Sequence, residues 1–413
     1  LGQAVAGTDY VAITNQIATI TAGMMSTTVT VSVEGEEIAE LDETFTVNLS
    51  DAQFDGMDDS SRVTIGDDSA TGTIINDDVA ALSIDDVSIA EGDGGATTFT
   101  FTVSSSSAAS QVIGFTVETA DLPLQAIAGT DYTALAPQSG SIGIGSTSTT
   151  VTVDVIGDEL VEADEEFSIS LSDVLFGGVD DSSRATLGDA MGTGTILNDD
   201  VAFLSIGDVS QLEGADSSTI DYVFTISSDL MASEDIEVAV NTADLVDAVG
   251  GSDYTSIVGG SAVITAGDTS TMVTVTVTGD ELVEVDETFA VNLTNGRFAG
   301  VIDTSRVDFT DASGEGTIVN DDSAVLSIAD VSQAEGDSGL TDFVFTITST
   351  SAASKELTVR VDTADLLGQA VAGTDYVAIT NQIATITAGM MSTTVTVSVE
   401  GEEIAELDET FTV

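Results

Sequence analysis

Between residues 79 and 200, apolar and polar side chains alternate with a period of two. Thr98–Val103 places Phe99, Phe101 and Val103 on one side of an extended chain. Val112–Val117 does the same with Ile113, Phe115 and Val117, Thr150–Val155 with Val151, Val153 and Val155, and Glu166–Leu171 with Phe167, Ile169 and Leu171. Alternation carried by Thr, Val, Ile and Phe marks half-buried strands. Ala81–Ile84, Ser139–Ile144 and Thr193–Leu197 extend the series to about seven strands, separated by polar or glycine-bearing turns. No segment sustains a helical period. Such a series predicts an all-β, immunoglobulin-like two-sheet sandwich.

The pattern recurs along the chain. Asp9-Tyr10 returns as Asp131-Tyr132, Asp253-Tyr254 and Asp375-Tyr376, in steps of 122 residues. Asn-Asp-Asp at 76–78, 198–200 and 320–322 keeps the same step. Residues 1–47 and 367–413 are identical, which adds a longer period of 366. A fixed period marks a modular array. It divides the chain into an incomplete C-terminal part of a unit at 1–78, complete units at 79–200 and 201–322, and an incomplete N-terminal part at 323–413. The next strand begins almost directly after each Asn-Asp-Asp run, and the only prolines are Pro123 and Pro137. The units are therefore expected to stack end to end without flexible linkers. The repeated 47 residues read as the overlap of a window on a longer array.

Composition changes this picture in two ways. With 42% hydrophobic residues each unit can bury a core, but the net charge is −66. That field repels nucleic acid and anionic membrane surfaces and attracts cations. The chain has no Cys, His or Trp. Disulfides, zinc or copper sites built on His or Cys, and Ser-His or Cys-His nucleophiles are excluded. No apolar run is long enough for a membrane helix, so no membrane insertion is expected. Leu1 falls inside a repeat, so the missing signal peptide carries little weight.

The acidic residues are clustered. In 79–200 they stand at Glu91-Gly92-Asp93, at Asp131, along Gly157-Asp158-Glu159-Leu160-Val161-Glu162-Ala163-Asp164-Glu165, and at Asn198-Asp199-Asp200. In 201–322 the matching positions are Glu213, Asp253, Asp280, Glu284, Glu287, Asp321 and Asp322. Each cluster lies at a strand end or in a loop, a placement compatible with all four meeting at one pole. Carboxylates a few ångström apart repel by about 1 kcal/mol per pair in water, and by more when partly buried. A compensating cation is expected. Ca²⁺ takes roughly 6–8 oxygen ligands in flexible geometry, whereas Mg²⁺ demands a stricter octahedron. Paired carboxylates could also serve a glycosidase, but an active site is not expected in every unit of an array, and a tryptophan sugar platform is missing. Catalysis is not expected. The recurring Ser61-Arg62, Ser183-Arg184 and Ser305-Arg306 are read as a local ion pair or carbonyl contact fixing a hairpin, with a lateral contact to a neighbouring filament as the alternative.

The order EG…GTDY…GDELVEADEEFSISLSD…GTGTILNDD resembles the Calx-beta domain, known from sodium–calcium exchangers and bacterial surface proteins. The resemblance covers both complete units and, in fragments, both ends. It implies an immunoglobulin-like sandwich that binds several Ca²⁺ at one end. The family's ligand positions then fall on Glu91, Asp131, Asp158, Glu162, Glu165, Asp199 and Asp200, and on Glu213, Asp253, Asp280, Glu284, Glu287, Asp321 and Asp322. The partial units carry the same positions at Asp9, Glu36, Glu40, Glu43, Asp77 and Asp78, and at Glu335, Asp375, Glu402, Glu406 and Glu409. Two departures subtract charge. Gly157 stands where the family has the first of an acidic pair, and Asn198 stands where it has Asp. Fewer or weaker ions are expected than in the exchanger domain.

These readings point to a calcium-rigidified segment of an extracellular fibre or adhesin stalk at a bacterial cell surface. Neighbouring repeats of the same chain are the expected partners, with lateral association into filaments as a further possibility. The alternatives are an adhesin region that recognises a cell or glycan, and a calcium-sensor module. Near-identical repetition favours the stalk, because a sensor needs one or two units beside a different effector domain.

Overall fold

The computed structural model describes residues 2–413 and divides into two compact units, Leu1–Asp200 and Val201–Val413. Every regular element among the described residues is a strand. Residues 79–200 form the sandwich predicted by the alternation. One sheet orders Gln138–Ile142, Ile113–Asp121, Glu165–Phe176, Met191–Leu197 and Val87–Ala90. The other orders Ser148–Gly157, Gly95–Ser105, Ala80–Ile84 and Ala185–Asp189.

Two of these strands lie outside the predicted set, Val87–Ala90 and Ala185–Asp189. Both are short edge strands in parallel register, Val87–Ala90 beside Met191–Leu197 and Ala185–Asp189 beside Ala80–Ile84. Their partners recruit them, and so little alternation is written in their own residues.

The core follows the predicted faces. Phe99, Phe101 and Val103 from one sheet meet Ile113, Phe115, Val117, Phe167 and Ile169 from the other, and all are buried. Each such side chain contributes about 1.5–3 kcal/mol when removed from water. Phe167 sits centrally, with Phe99 and Phe101 each 6.1 Å away and Tyr132 stacked on it at 4.4 Å. Gly194 lies opposite Phe167 in the ladder, and a Cβ there would collide with the ring. The glycine admits the aromatic ring.

Residues 201–322 repeat the plan. Ser270–Thr278, Thr219–Ser228, Ala202–Ile206 and Val307–Asp311 make one sheet. Val209–Leu212, Ser313–Val319, Glu287–Phe298, Ile236–Asp244 and Gly260–Ile264 run across the other, with Val301–Ile302 paired beside Glu287–Phe298. Phe289 takes the place of Phe167 and stacks on Tyr254 at 4.4 Å.

Candidate metal centre

Strand register gathers the acidic clusters. In 79–200 the parallel pair ends with Ala90 beside Leu197, so Glu91 emerges next to Asn198-Asp199-Asp200. The Glu91 amide donates to the Leu197 carbonyl at 3.2 Å, and the Gly92 amide donates to Asp199 Oδ1 at 3.1 Å. Gly157 pairs with Gly95 at the end of its ladder, which brings Asp158 to the same end. A Cβ on Gly157 would run into the Gly92 carbonyl oxygen. This position cannot hold a side chain here, so the loop begins on a glycine. The Asp131 turn joins the group because the Ile156 amide donates to the Asp131 carbonyl at 2.8 Å. Glu165, paired with Ile196, opens the next strand at that end.

Two triads result in 79–200. Glu91, Asp199 and Asp200 offer carboxylate oxygens within 4.8 Å of one another, and Asp131, Glu162 and Glu165 do the same. In 201–322 the triads are Glu213, Asp321 and Asp322, and Glu213, Asp280 and Glu284, with Glu213 shared. Asp158 lies outside these triads, yet its charge reaches Glu91, Glu162 and Asp200. Asp253 and Glu287 also lie outside, and the charges of Glu284 and Asp253 act on Glu287.

Residues 2–78 and 323–413 differ. Among the described residues, no triad forms from Asp9, Glu36, Glu40, Glu43, Asp77 and Asp78, or from Glu335, Asp375, Glu402, Glu406 and Glu409. Some crowding persists. Burial, then Glu36 and Glu43, pushes Glu40 up to about 7, and burial followed by Asp9 raises Glu43. Glu406 is raised by desolvation and then by Glu402 and Glu409.

In 79–200 and 201–322 the clustered acids act chiefly on one another, with Lys355 opposing them at Glu284. Glu91 is only 4% exposed, and burial followed by Glu162 and Asp158 pushes it up to about 8. Glu287 rises to about 8 through burial and then Glu284. Glu162 and Glu213 rise to about 7 and Asp200 to about 6, in each case through burial first and neighbouring carboxylates second. Burial, then Asp131, raises Glu165. Asp200 Oδ2, Glu213 Oε1 and Asp322 Oδ2 are buried with no hydrogen-bond partner. An orphaned buried carboxylate oxygen costs several kcal/mol unless a cation or proton meets it. The donor set is all oxygen, flexible and strongly negative, and so it fits a hard divalent cation of the Ca²⁺ kind.

Asn198 has a role that sequence reasoning missed. Its side-chain oxygen accepts the Glu162 amide hydrogen at 2.8 Å, and its Nδ2 donates to the Asp200 carbonyl at 2.9 Å. Asn320 makes the same two contacts with Glu284 and Asp322, and Asn76 makes them with Glu40 and Asp78. The asparagine ties the acidic loop to the closing acidic run, which takes both a donor and an acceptor. An aspartate could not donate. The signal was its recurrence at every closing run.

The Calx-beta domain family matches at residues 2–79, 76–200, 209–310 and 320–413. Among solved structures the chain is similar to CBD12 from CALX1.2, at 18% identity over 58% of this chain and 99% of that one, with a TM-score of 0.27. It is also similar to the calcium binding domain CBD12 of CALX1.1, at 17% identity over 56% and 98%, with a TM-score of 0.26. The apo-form Calx CBD1 domain matches at 24% identity over 30% and 100%, with a TM-score of 0.25. No curated protein matches the chain. The four family matches run through nearly the whole sequence: this chain belongs to the Calx-beta domain family, as a tandem array.

Proposed function

We propose that this chain is a calcium-binding, calcium-stiffened segment of an extracellular fibre or adhesin stalk at a bacterial cell surface. The observation that carries the reading is the set of buried carboxylate oxygens without partners, Asp200 Oδ2, Glu213 Oε1 and Asp322 Oδ2, each in a crowd of acids. Glu91, Asp199 and Asp200 would hold one ion, and Asp131, Glu162 and Glu165 another, with Asp158 close by in charge. Ca²⁺ supplies two positive charges and a demand for oxygen ligands. The ligand residues come from four separated stretches of sequence, so holding them together holds the pole together.

The mechanical reading rests on continuity. Within 1–200, Asp77 and Asp78 are followed almost at once by the strand Ala80–Ile84 of the next repeat. A rigid pole therefore leaves that connection little freedom. Extracellular calcium modules bind at roughly 0.1–1 mM, and an ion at about 100 times Kd adds about 2.7 kcal/mol per site. That is large against a domain stability of about 5–15 kcal/mol.

The test compares the 413-residue chain in excess calcium and in chelator, by calorimetric melting and small-angle scattering. Calcium is expected to raise the melting temperature and narrow the range of shapes. An unchanged melt together with an unchanged radius of gyration sinks the reading. A higher melt with unchanged flexibility instead supports a calcium sensor over a stalk.

A further inference from the structure

We propose that, within each of the two compact units, the acidic loop of the first repeat is also the docking surface for the repeat that follows it, with a cation of that following repeat closing the joint. Within the first compact unit, Ala39 of the acidic loop 35–43 forms a parallel bridge to Ala109 of the next repeat. The Ala39 amide donates to the Ala108 carbonyl at 3.0 Å, and the Ser110 amide donates to the Ala39 carbonyl at 2.9 Å. Ala39 is 0% exposed and belongs to the core of the repeat that follows it. The second compact unit contains the same joint. Val283 bridges Ala353, with 3.0 Å bonds from the Val283 amide to the Ala352 carbonyl and from the Ser354 amide to the Val283 carbonyl. Ala39 and Val283 hold the same place in their loops, the small apolar residue just before Glu40 or Glu284.

The latch is Arg184. Its own hairpin orients it: Nη1 donates to Asp181 Oδ2 at 2.7 Å, and Asp181 Oδ1 accepts the Ser183 hydroxyl at 2.6 Å. The rest of the guanidinium reaches the preceding repeat, with Nε donating to the Glu40 carbonyl at 2.6 Å and Nη2 pairing with Asp42 Oδ1 at 2.7 Å. A planar fork with several fixed donors suits this three-point contact, and a lysine could not reproduce it. In the second unit the following repeat again supplies a cation, as Lys355 pairs with Asp247 at 3.3 Å. Only six Lys and Arg stand in the whole chain, and Arg184 and Lys355 are each used to bridge repeats. In so acidic a protein, placing scarce cations at the joints offsets repulsion where two negative bodies meet. The latch is complete without a metal ion, so it stands or falls separately from the proposed calcium stiffening.

The test uses the cysteine-free 413-residue chain with spin labels at T73C and T152C, on exposed strand positions of consecutive repeats. Distance distributions are recorded by pulsed EPR in saturating calcium. R184A and D42A are each expected to broaden the distribution about twofold, because a charge-assisted contact is lost from the joint. R184K should broaden it less, and the R184A/D42A double variant no more than R184A alone. Wild-type width in both single variants overturns the proposal. If R184A proves to unfold its hairpin, D42A decides, since it leaves Asp181–Arg184 intact. A chelator arm on the unsubstituted chain separates the two ideas: no broadening there with broad R184A and D42A distributions rejects calcium stiffening and keeps the latch.

Discussion

The ring of Tyr132 stacks on that of Phe167, with centroids 4.4 Å apart and planes 15° from parallel. The pair recurs as Tyr254 on Phe289 and Tyr376 on Phe411. Tyr132 directly follows Asp131, and Phe167 stands two residues after Glu165, so the stack joins the backbones that carry two members of one acidic triad. Tyr132 is fixed further by a hydrogen bond from its hydroxyl to Asp121 Oδ1 at 2.7 Å. F167A should cost the repeat about 3–5 kcal/mol, as large-to-small core changes do. It should also weaken calcium binding, as read by calorimetric titration. Lost stability with unchanged calcium affinity would show that the stack does not position the site.

Removing a charge from the cluster should have opposite signs with and without the ion. At about pH 9, above the value near 8 to which Glu91 is pushed and where it is ionised, E91Q takes one negative charge out of a buried, crowded position. In chelator its melting temperature should rise above that of the wild type, because repulsion is relieved. In calcium it should fall, with affinity reduced by about tenfold or more, roughly 1.4 kcal/mol. A shift of the same sign in both media contradicts the assignment of Glu91 as a ligand.

The raised carboxyl groups set a pH dependence for the cation-free fold. Unfolded Asp and Glu titrate near 4. In the folded protein Asp200 is pushed up to about 6, Glu162 and Glu213 to about 7, and Glu91 and Glu287 to about 8. Between those limits the folded state binds more protons than the unfolded one, so stability falls as pH rises. The contribution is whole below about pH 4 and is lost progressively through pH 6–8. Melts in chelator should thus be lower at pH 8 than at pH 5.5. Calcium, which binds the deprotonated form, should shrink or reverse the difference. A chelated melt that climbs with pH is incompatible with these shifts.

Asn198 offers a ligand-free way to disturb the site. N198A removes one contact to the Glu162 amide and one to the Asp200 carbonyl, and each such bond contributes about 1 kcal/mol. The variant is expected to lose about 1–3 kcal/mol of stability and to bind calcium more weakly, although it deletes no carboxylate. Equal calcium affinity in N198A and wild type would leave the asparagine with a purely structural role.

The sheet faces and the pole were legible in the sequence for one reason. Period-two alternation states which side chains of Thr98–Val103 or Glu166–Leu171 point inward, and Phe99, Phe101, Phe167 and Ile169 are buried accordingly. The acidic runs at the ends of those strands marked the pole. Val87–Ala90 was illegible because its strand state comes from its neighbour Met191–Leu197. That Glu213 serves two triads was illegible as well, since register alone brings Asp280 and Asp322 to it. The reach of Arg184 into the preceding repeat depends on how two repeats meet, and its local pattern with Asp181 gives no sign of it.

The two identical stretches of 47 residues separate these contributions within one molecule. In the second copy, Gln382–Ile386 and Ser392–Gly401 are strands, paired with Leu357–Val361 and Gly339–Ser349. The same residues at 16–20 and 26–35 form no strand, and an isolated bridge joins Tyr10 to Val33. At the other end the relation inverts. Glu43–Asn48 is a six-residue strand against Ser69–Ile74, while in the second copy only Phe411–Thr412 is paired. The stack of Tyr10 on Phe45 survives in both, at 4.6 Å and 4.4 Å. Sequence by itself determined which side chains are apolar, which face each could present, and where acids accumulate. Only the tertiary structure decided whether a segment becomes a strand, because a strand's backbone hydrogen bonds are completed by another segment that must be there to receive them.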